Sequence, residues 1–414
     1  MRIIQKLIII LFLLSTMTAC FRKNINGSNK IDFPISIHLN LSEMISDSMN
    51  LSDIADKVEY FPLQTNDSCL MDYFDDFSIT KDYYFIQDRT RVIKFTNYGK
   101  YLNSLFKVGR GPGEAYARFF TISESEELVY VYDSSINSIK IYNFNGIYIK
   151  RLNTPIYPSG YWSYSIGVFN KNLFVHTIQS PLVKYLYSFF DLNTDSIRIV
   201  CNNYRAYDKA QRNTKPLILP YDYHFQITDT CVLYKERFCD TIFKVDKNFI
   251  QKSRFIVDLG NRKLDWDNWR DHGMFNTSSG PPYGYQIQSF IETKTFLFLV
   301  LTSFRENELF AVLNKNTNSL QVFTGKNTDR PFSQIYVKND LDNLVPFPPM
   351  NKKGYLYFYD GCLYSVIESK VFAEAYKNAS FDSKRATGYL RNMAEIFSKI
   401  NEFSNPIIMK VHLK

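Results

Sequence analysis

Residues 107–120 read KVGRGPGEAYARFF, with Gly109, Gly111, Pro112 and Gly113 set around Arg110 and just ahead of Glu114. Glycines beside an arginine suit a phosphate cradle or a sugar site. A phosphate loop, however, needs its glycines between a strand and a helix N-terminus, with Lys and Ser/Thr directly after them. Here Lys107 precedes the glycines and no helical pattern follows. The stretch therefore reads as backbone geometry. Gly109, Gly111 and Gly113 are expected to adopt conformations closed to other residues, while Pro112 stiffens the crossing. Arg110 and Glu114 are expected to staple it by hydrogen bonds, with Arg110 kept as a candidate ligand contact.

A second stretch with chemical content is residues 263–285, KLDWDNWRDHGMFNTSSGPPYGY. It gathers Asp265, Asp267, Asp271, Arg270 and His272 around Trp266 and Trp269, with Tyr283 near its end. Carboxylates beside aromatic faces suit sugar or peptide recognition, and an acid pair can hydrolyse a glycosidic bond. The plain alternative is a solvated loop whose two tryptophans pin it to the body. A spacing of three lets both indoles face one way only in a helical turn. In a strand they would face opposite ways. Trp266, Trp269, Asp267, Tyr283 and Arg110 are thus the candidate ligand-binding residues. DYFDDF (72–77) also offers acids, read here as a hydrated blade edge.

No GxSxG, HExxH, EF-hand loop or kinase set occurs in the chain. The five histidines, His38, His176, His224, His272 and His412, are dispersed and read as structural. No catalytic residue, metal site or cofactor is assigned. The formal net charge of +8 is spread along the chain, without a basic block interleaved with aromatics, so no nucleic-acid groove is expected. Past Cys20 the cysteines are Cys69, Cys201, Cys231, Cys239 and Cys362, an odd set without CxxC spacing. Free buried thiols are the expectation, with a Cys231–Cys239 bridge as the alternative.

The chain opens MRIIQKLIIILFLLSTMTACF. Arg2 and Lys6 precede the apolar run 7–14, which is short for a bilayer span and has the anatomy of a secretory signal. Met17-Thr18-Ala19-Cys20 resembles a bacterial lipobox, which implies cleavage before Cys20 and acylation of its thiol. The alternative is an ordinary signal peptide with an incidental cysteine. Residues 1–19 are therefore assigned as signal peptide, 20–31 as a lipid-anchored flexible tether, and 32–414 as the folded body.

What must position these residues is a β architecture. The chain holds 30 Tyr and 35 Phe with many β-branched residues, a strand composition. DYYFIQDRTRVIKFTNYGKYLNSL (82–105) and LVYVYDSSINSIKIYNFNGIYIKRL (128–152) are one unit written twice, each with a strand ending in Asp (Asp88, Asp133). Each unit carries an Asn/Gly turn, at 97–99 and 145–146, read as a hairpin with both turn residues at positive φ. Fainter copies begin near 172, 231, 296 and 354, after those near 83 and 128. Six such units predict an all-β, six-bladed β-propeller; a long β-sandwich or two β domains is the alternative. A short turn capped by Ser52 is expected before the strand at 58–63. A helix is expected over about 383–400, with Leu390, Met393, Ala394, Phe397 and Ile400 on one face. A closing strand should then run over about 406–413, completing a blade shared by both ends of the body.

Three quoted pieces together resemble a family of bacterial six-bladed β-propeller lipoproteins: Gly109-Arg110-Gly111-Pro112-Gly113-Glu114, Val58-Glu59-Tyr60-Phe61-Pro62-Leu63 and Asn405-Pro406-Ile407-Ile408. SFIETKTFLF (289–298) is similar to that family's strand entry in blade five. The likeness covers roughly residues 50–414, and it departs at Ala115-Tyr116, where Glu-Tyr is commoner. It implies the fold and an address at the outer membrane of the cell envelope, without an established reaction. The reading is a lipid-anchored binding or scaffold propeller for a glycan, peptide or envelope protein. The rival is a glycoside hydrolase or polysaccharide lyase carried on the same scaffold.

Overall fold

The computed structural model describes residues 34–41, 45–46, 48–152, 164–177, 185–202, 225–236, 238–264, 284–303, 306–324, 335–349, 356–378 and 388–414. Contacts divide the chain after Ile35, and residues 36–414 form one unit. The chain enters through β1 (Ile35–His38) and β2 (Ile45–Ser46), and a 3-10 turn at Leu51–Asp53 leads into β3 (Ala55–Pro62). That turn has no side-chain cap. Ser52 Oγ instead donates to Asp340 Oδ2 at 2.6 Å, so the expected capping role belongs to a long-range tie.

Six sheets follow, forming a six-bladed β-propeller. Blade 1 holds β4 (Asp76–Ile79), β5 (Tyr83–Asp88), β6 (Arg91–Thr96) and β7 (Tyr101–Ser104). Blade 2 holds β8 (Ala117–Ser123), β9 (Leu128–Asp133), β10 (Ser138–Asn143) and β11 (Tyr148–Leu152). Blade 3 holds β12 (Tyr164–Phe169), β13 (Asn172–Thr177), β14 (Tyr185–Asp191) and β15 (Ser196–Asn202). Blade 4 holds β16 (Phe225–Ile227), β17 (Cys231–Lys235), β18 (Thr241–Asp246) and β19 (Gln251–Asp258). Blade 5 holds β20 (Tyr285–Glu292), β21 (Phe296–Ser303), β22 (Leu309–Asn314) and β23 (Ser319–Thr324). Blade 6 is composite: β24 (Tyr357–Tyr359), β25 (Cys362–Ile367) and, after helices α1 (Ser369–Asn378) and α2 (Gly388–Ser398), β26 (Ile407–Leu413), with β3 as its fourth strand.

Burial explains the composition. Each blade stacks on a neighbour through both faces, so its middle strands are apolar without alternation. β5 and β9 are buried at five of six positions, whereas the outer strand β11 exposes Ile149, Lys150 and Arg151. The cores lie between blades. Phe85 and Val92 meet Phe120, Val131 and Tyr142 across blades 1 and 2, and Phe174 and Phe189 meet Val232 and Tyr234 across blades 3 and 4. The repeat starts near 83, 128, 172, 231 and 296 fall on the second strand of a blade. An inner strand precedes each of them; β4 and β16 are only four and three residues long, whereas β20, at eight, is as long as the strand that follows it.

The Asn/Gly turns carry positive φ only at Gly99 (82°) and Gly146 (81°), not at both turn residues. Gly146 N donates to Asn143 O at 2.9 Å, and the register shifts by one residue between Ile141 and Tyr142. This is a turn closed by a glycine bulge rather than a two-residue hairpin. A Cβ on Gly146 would sit 2.5 Å from Leu105 O, and one on Gly99 would sit 2.1 Å from Pro62 O. Both turns therefore press on the preceding blade, which is why glycine recurs there.

Ring closure rests on β26, which pairs with β25 on one side and β3 on the other. Asn405, just before it, is buried and fully engaged. Its Nδ2 donates to Gln64 O (2.7 Å) and Cys69 O (2.9 Å), its Oδ1 accepts from Met71 N (2.9 Å), and its N–H donates to Thr65 Oγ1 (2.8 Å). The helices cover the same blade, with Phe372 of α1 and Phe397 of α2 packing edge-on to Tyr60 of β3. Met393 and Ile400 join that core. β1 adds a fifth strand to blade 4 and β2 a fifth to blade 5. The N-terminal segment thus straps three consecutive blades and covers two sheet edges.

Candidate functional site

The first strands of neighbouring blades approach one another around the axis, β4 with β8, β8 with β12, β12 with β16 and β16 with β20. The connections therefore divide between two faces. One carries the short turns from first to second strand, such as 80–82, 170–171 and 293–295. The other carries the links from second to third strand and from each blade to the next. Residues 105–116 leave from this second face, as do the strand ends flanking 153–163, 203–224, 265–283 and 325–334.

Arg110 stands exposed on this loop-bearing face. The side chain that staples its loop is Glu114, whose Oε2 accepts from Gly111 N at 2.8 Å. None of Gly109, Gly111 and Gly113 has a positive φ, so their expected conformational role is not the reason for them. Space is the reason at two of them. A Cβ on Gly109 would lie 2.1 Å from Glu114 Oε2, and one on Gly111 would lie 3.0 Å from it. Beneath the loop Lys140 pairs with Asp133 at 2.9 Å, the two side chains 4% and 0% exposed. Lys140 also donates to Gly111 O (3.3 Å) and to Glu114 O. Asp133 Oδ1 takes Ser135 N (2.9 Å) and Tyr116 N (3.4 Å). Asp88, its counterpart in blade 1, takes Tyr73 N at 3.1 Å and pairs with Arg91 at 2.7 Å. The repeated Asp thus ties each incoming inter-blade loop to the blade beneath it. Asp75 of DYFDDF works similarly, accepting Arg89 N at 2.7 Å, while Arg89 lies 4.4 Å from the ring of exposed Tyr73.

Trp266, Asp267, Trp269 and Tyr283 lie outside the described residues, as does Cys20. The feet of their insertion are placed. Leu264 N donates to Tyr285 O at 2.8 Å, so the segment leaves and returns at one point. Gly284 takes φ 109°, and a Cβ there would meet backbone of Arg262, Lys263 and Leu264 at 2.9 Å. Arg262 pairs with Glu306, and Lys263 pairs with Asp240 at 2.8 Å. The Tyr285 hydroxyl lies 3.1 Å from Asn307 O and 3.3 Å from Glu306 Oε2. Burial, then the Glu306 charge, pushes that phenol up to about 12. Nearby in sequence, burial pushes the Glu308 carboxyl up to about 7, so its charge changes near neutral pH. Arg110 and the feet of this insertion, Leu264 and Gly284, lie on one face, on the links after blades 1 and 4, three blades apart in a ring of six.

Other chemistry-bearing side chains meet only in three dimensions. Between blades 3 and 4, His176, Tyr187 and Tyr234 are buried, with Tyr234 ring centroids 5.9 Å from His176 and 4.9 Å from Tyr187. Burial raises both phenols and the neighbouring Cys201 thiol. Across blade 6, Cys362 Sγ lies 3.5 Å from His412 Nδ1, and His412 Nε2 lies 2.7 Å from Glu59 Oε2. That line has the order of a nucleophile, base and orienting acid. Burial of Cys362 raises its thiol, which favours the protonated form and a packing role. All five described cysteines, Cys231 and Cys239 included, are free. Among the described residues no cluster of metal-ligating groups forms.

Sequence reading passed over Lys140 and Glu308. For Lys140 a signal existed: a lysine between isoleucines in a strand buried on both faces requires a buried partner. For the Cys362–His412–Glu59 line no local signal exists.

Fold and closure define a six-bladed propeller of four- and five-stranded blades whose last blade joins both ends of the body. Residues 35–412 match the family described as a domain of unknown function, DUF4934, and the chain belongs to that family. A provisionally named exported protein from Bacteroides fragilis NCTC 9343 is similar at 16% identity and TM-score 0.63, over 92% of this chain and all of its own. A member of the DUF4221 family from Bacteroides vulgatus is similar at 12% identity and TM-score 0.49, over 87% of this chain and 97% of its own. Virginiamycin B lyase from Staphylococcus aureus follows at 11% identity and TM-score 0.39, over 74% and 94%. No curated protein matches the chain in sequence.

Proposed function

We propose that the protein is an exported lipoprotein, held through Cys20 at the outer membrane, whose loop-bearing face captures a glycan or an extended peptide. The observation that carries this reading is the locked base of the 265–283 insertion. Two backbone segments joined at 2.8 Å, with ion pairs on either side, hold a 19-residue polar segment on a rigid ring. Long loops on rigid scaffolds are where recognition concentrates. Export draws support from the leader at 1–19 and from the name of the similar Bacteroides fragilis protein.

Binding is tested with the pair Trp266→Ala and Trp269→Ala. Capture on arrays of envelope glycans and peptides should vanish while the melting temperature holds. If instead the pair lowers stability by a few kcal/mol, the usual result of truncating buried aromatics, and leaves capture intact, the tryptophans only pin the loop. Anchoring is tested by Cys20→Ser, which should move the protein from the membrane to the soluble envelope fraction, since acyl chains supply the membrane affinity. Unchanged membrane retention, with no acyl mass on the parent protein, would refute the anchor.

A further inference from the structure

The face opposite the long loops carries a second feature. At that end of the axis the inner strands of blades 1, 2 and 6 leave a cavity of about 200 Å³, lined by Phe77, Ser78, Ile79, Ile122, Tyr357 and Phe358. Apart from buried Phe77, all of these side chains are half-exposed, although the ring packs them inward. Three are aromatic and two are isoleucine. Ser78 has no side-chain hydrogen bond among the described residues, so the wall offers one free hydroxyl. The recess opens to solvent, and its volume is comparable to the roughly 150 Å³ at which an enclosed apolar cavity takes up benzene.

Acidic side chains outnumber basic ones around the mouth. One residue past Phe358, the Tyr359 hydroxyl lies 3.0 Å from both carboxylate oxygens of Glu124, which is two residues past Ile122. Glu124 also accepts Lys81 N at 2.8 Å, so a single carboxylate bridges blades 1, 2 and 6. Asp82 and Asp360 face the same phenol and, with Glu124, raise it further after burial. Lys81 is the one cation on these three turns, against Asp82, Glu124, Glu126, Glu127 and Asp360. Glu126 is directed away, to Ser123 and Tyr130.

We propose that this end of the central channel is a binding site for a compact organic cation, an ammonium on a single aromatic or branched aliphatic group. The hydrocarbon fills the cavity against Phe77, Ile79 and Ile122. The ammonium sits at the rim, where Glu124 accepts its N–H groups. The acidic rim disfavours an anion of the same shape. The site lies on the face opposite Leu264 and Gly284, the feet of the 265–283 insertion, and does not depend on the function proposed for that face.

The test titrates the full chain with benzylammonium, benzyl alcohol and benzoate at one ionic strength, read by calorimetry and ligand-observed NMR. Saturable binding of benzylammonium is expected, with the alcohol about tenfold weaker, the difference a hydrogen bond to a charged group supplies, and benzoate without binding. Glu124→Gln should bring benzylammonium down to the affinity of the alcohol. Ile122→Trp should fill the cavity and abolish binding of both; Ser78→Leu fills it from another wall should the first variant melt early. Equal affinity for the three probes, no saturable binding, or binding that survives both filling variants in a folded protein overturns the proposal. Loss of benzylammonium binding in the Trp266/Trp269 double variant would also overturn it, by placing the site on the other face.

Discussion

Deleting residues 404–414 should leave a chain that aggregates or melts far below the parent. The deletion removes β26 and with it Ile407, Ile408, Met409 and Val411, all fully buried. Burying such side chains stabilises by roughly 1.5–3 kcal/mol each. Four of them approach the whole stability of an ordinary folded protein, about 5–15 kcal/mol. The deletion also removes Asn405, leaving Gln64 O, Cys69 O and Met71 N without their partner. β25 and β3 would then face each other across an open gap as two unpaired edges, the arrangement that invites strand addition between molecules. Thermal unfolding and size-exclusion chromatography of the truncated chain are the measurements. Unchanged melting and a monomeric profile would mean that the ring does not need its shared blade.

Lys140→Met should lower stability by about 3–5 kcal/mol, the usual consequence of removing one partner from a buried pair. Asp133 would keep its contacts with Ser135 and Tyr116 but lose the cation 2.9 Å away, at a site with no exposure to water. Gly111 O and Glu114 O would lose the lysine donor at the same time, keeping only Glu114 N (3.1 Å) and the Tyr142 hydroxyl (3.5 Å) respectively, which loosens residues 109–115. Denaturant titration reads the first effect, and limited proteolysis across the glycine loop reads the second. Adding Asp133→Asn should recover part of the loss, because the orphaned charge is gone. A single variant within about 0.5 kcal/mol of the parent, the range typical of surface changes, would show that the pair is not what holds the loop.

Much of the candidate site was beyond local reading for a definite reason. Glycine spacing at 109–113 correctly marked a tight connection, but it did not show that Glu114 folds back over the loop. That depends on one rotamer and on Lys140 arriving from the next blade. Residues 263–285 stood out by polarity and length, while the ion pairs at their base involve Asp240 and Glu306, contributed by blades 4 and 5. The opposing positions of Arg110 and the feet of the insertion, Leu264 and Gly284, follow from counting blades around the ring, which no residue pattern encodes.

The fold was legible because propeller strands buried on both faces must be apolar throughout, and each hairpin turn that presses on the neighbouring blade must spare a Cβ. Those requirements act within some ten residues and leave a repeat in the chain: YYFIQD and LVYVYD, Gly99 and Gly146, Asp88 and Asp133. Closure was legible from strands at both ends of the body. Tertiary structure alone decided which side chains meet. Tyr359 reaches Glu124 across 235 residues, Glu59 reaches His412 across 353, and β1 and β2 cover the edges formed by β19 and β23, far later in the chain. Strand patterning says which face of a residue is buried, whereas its neighbour on that face is chosen by the ring, through the order and number of blades between them.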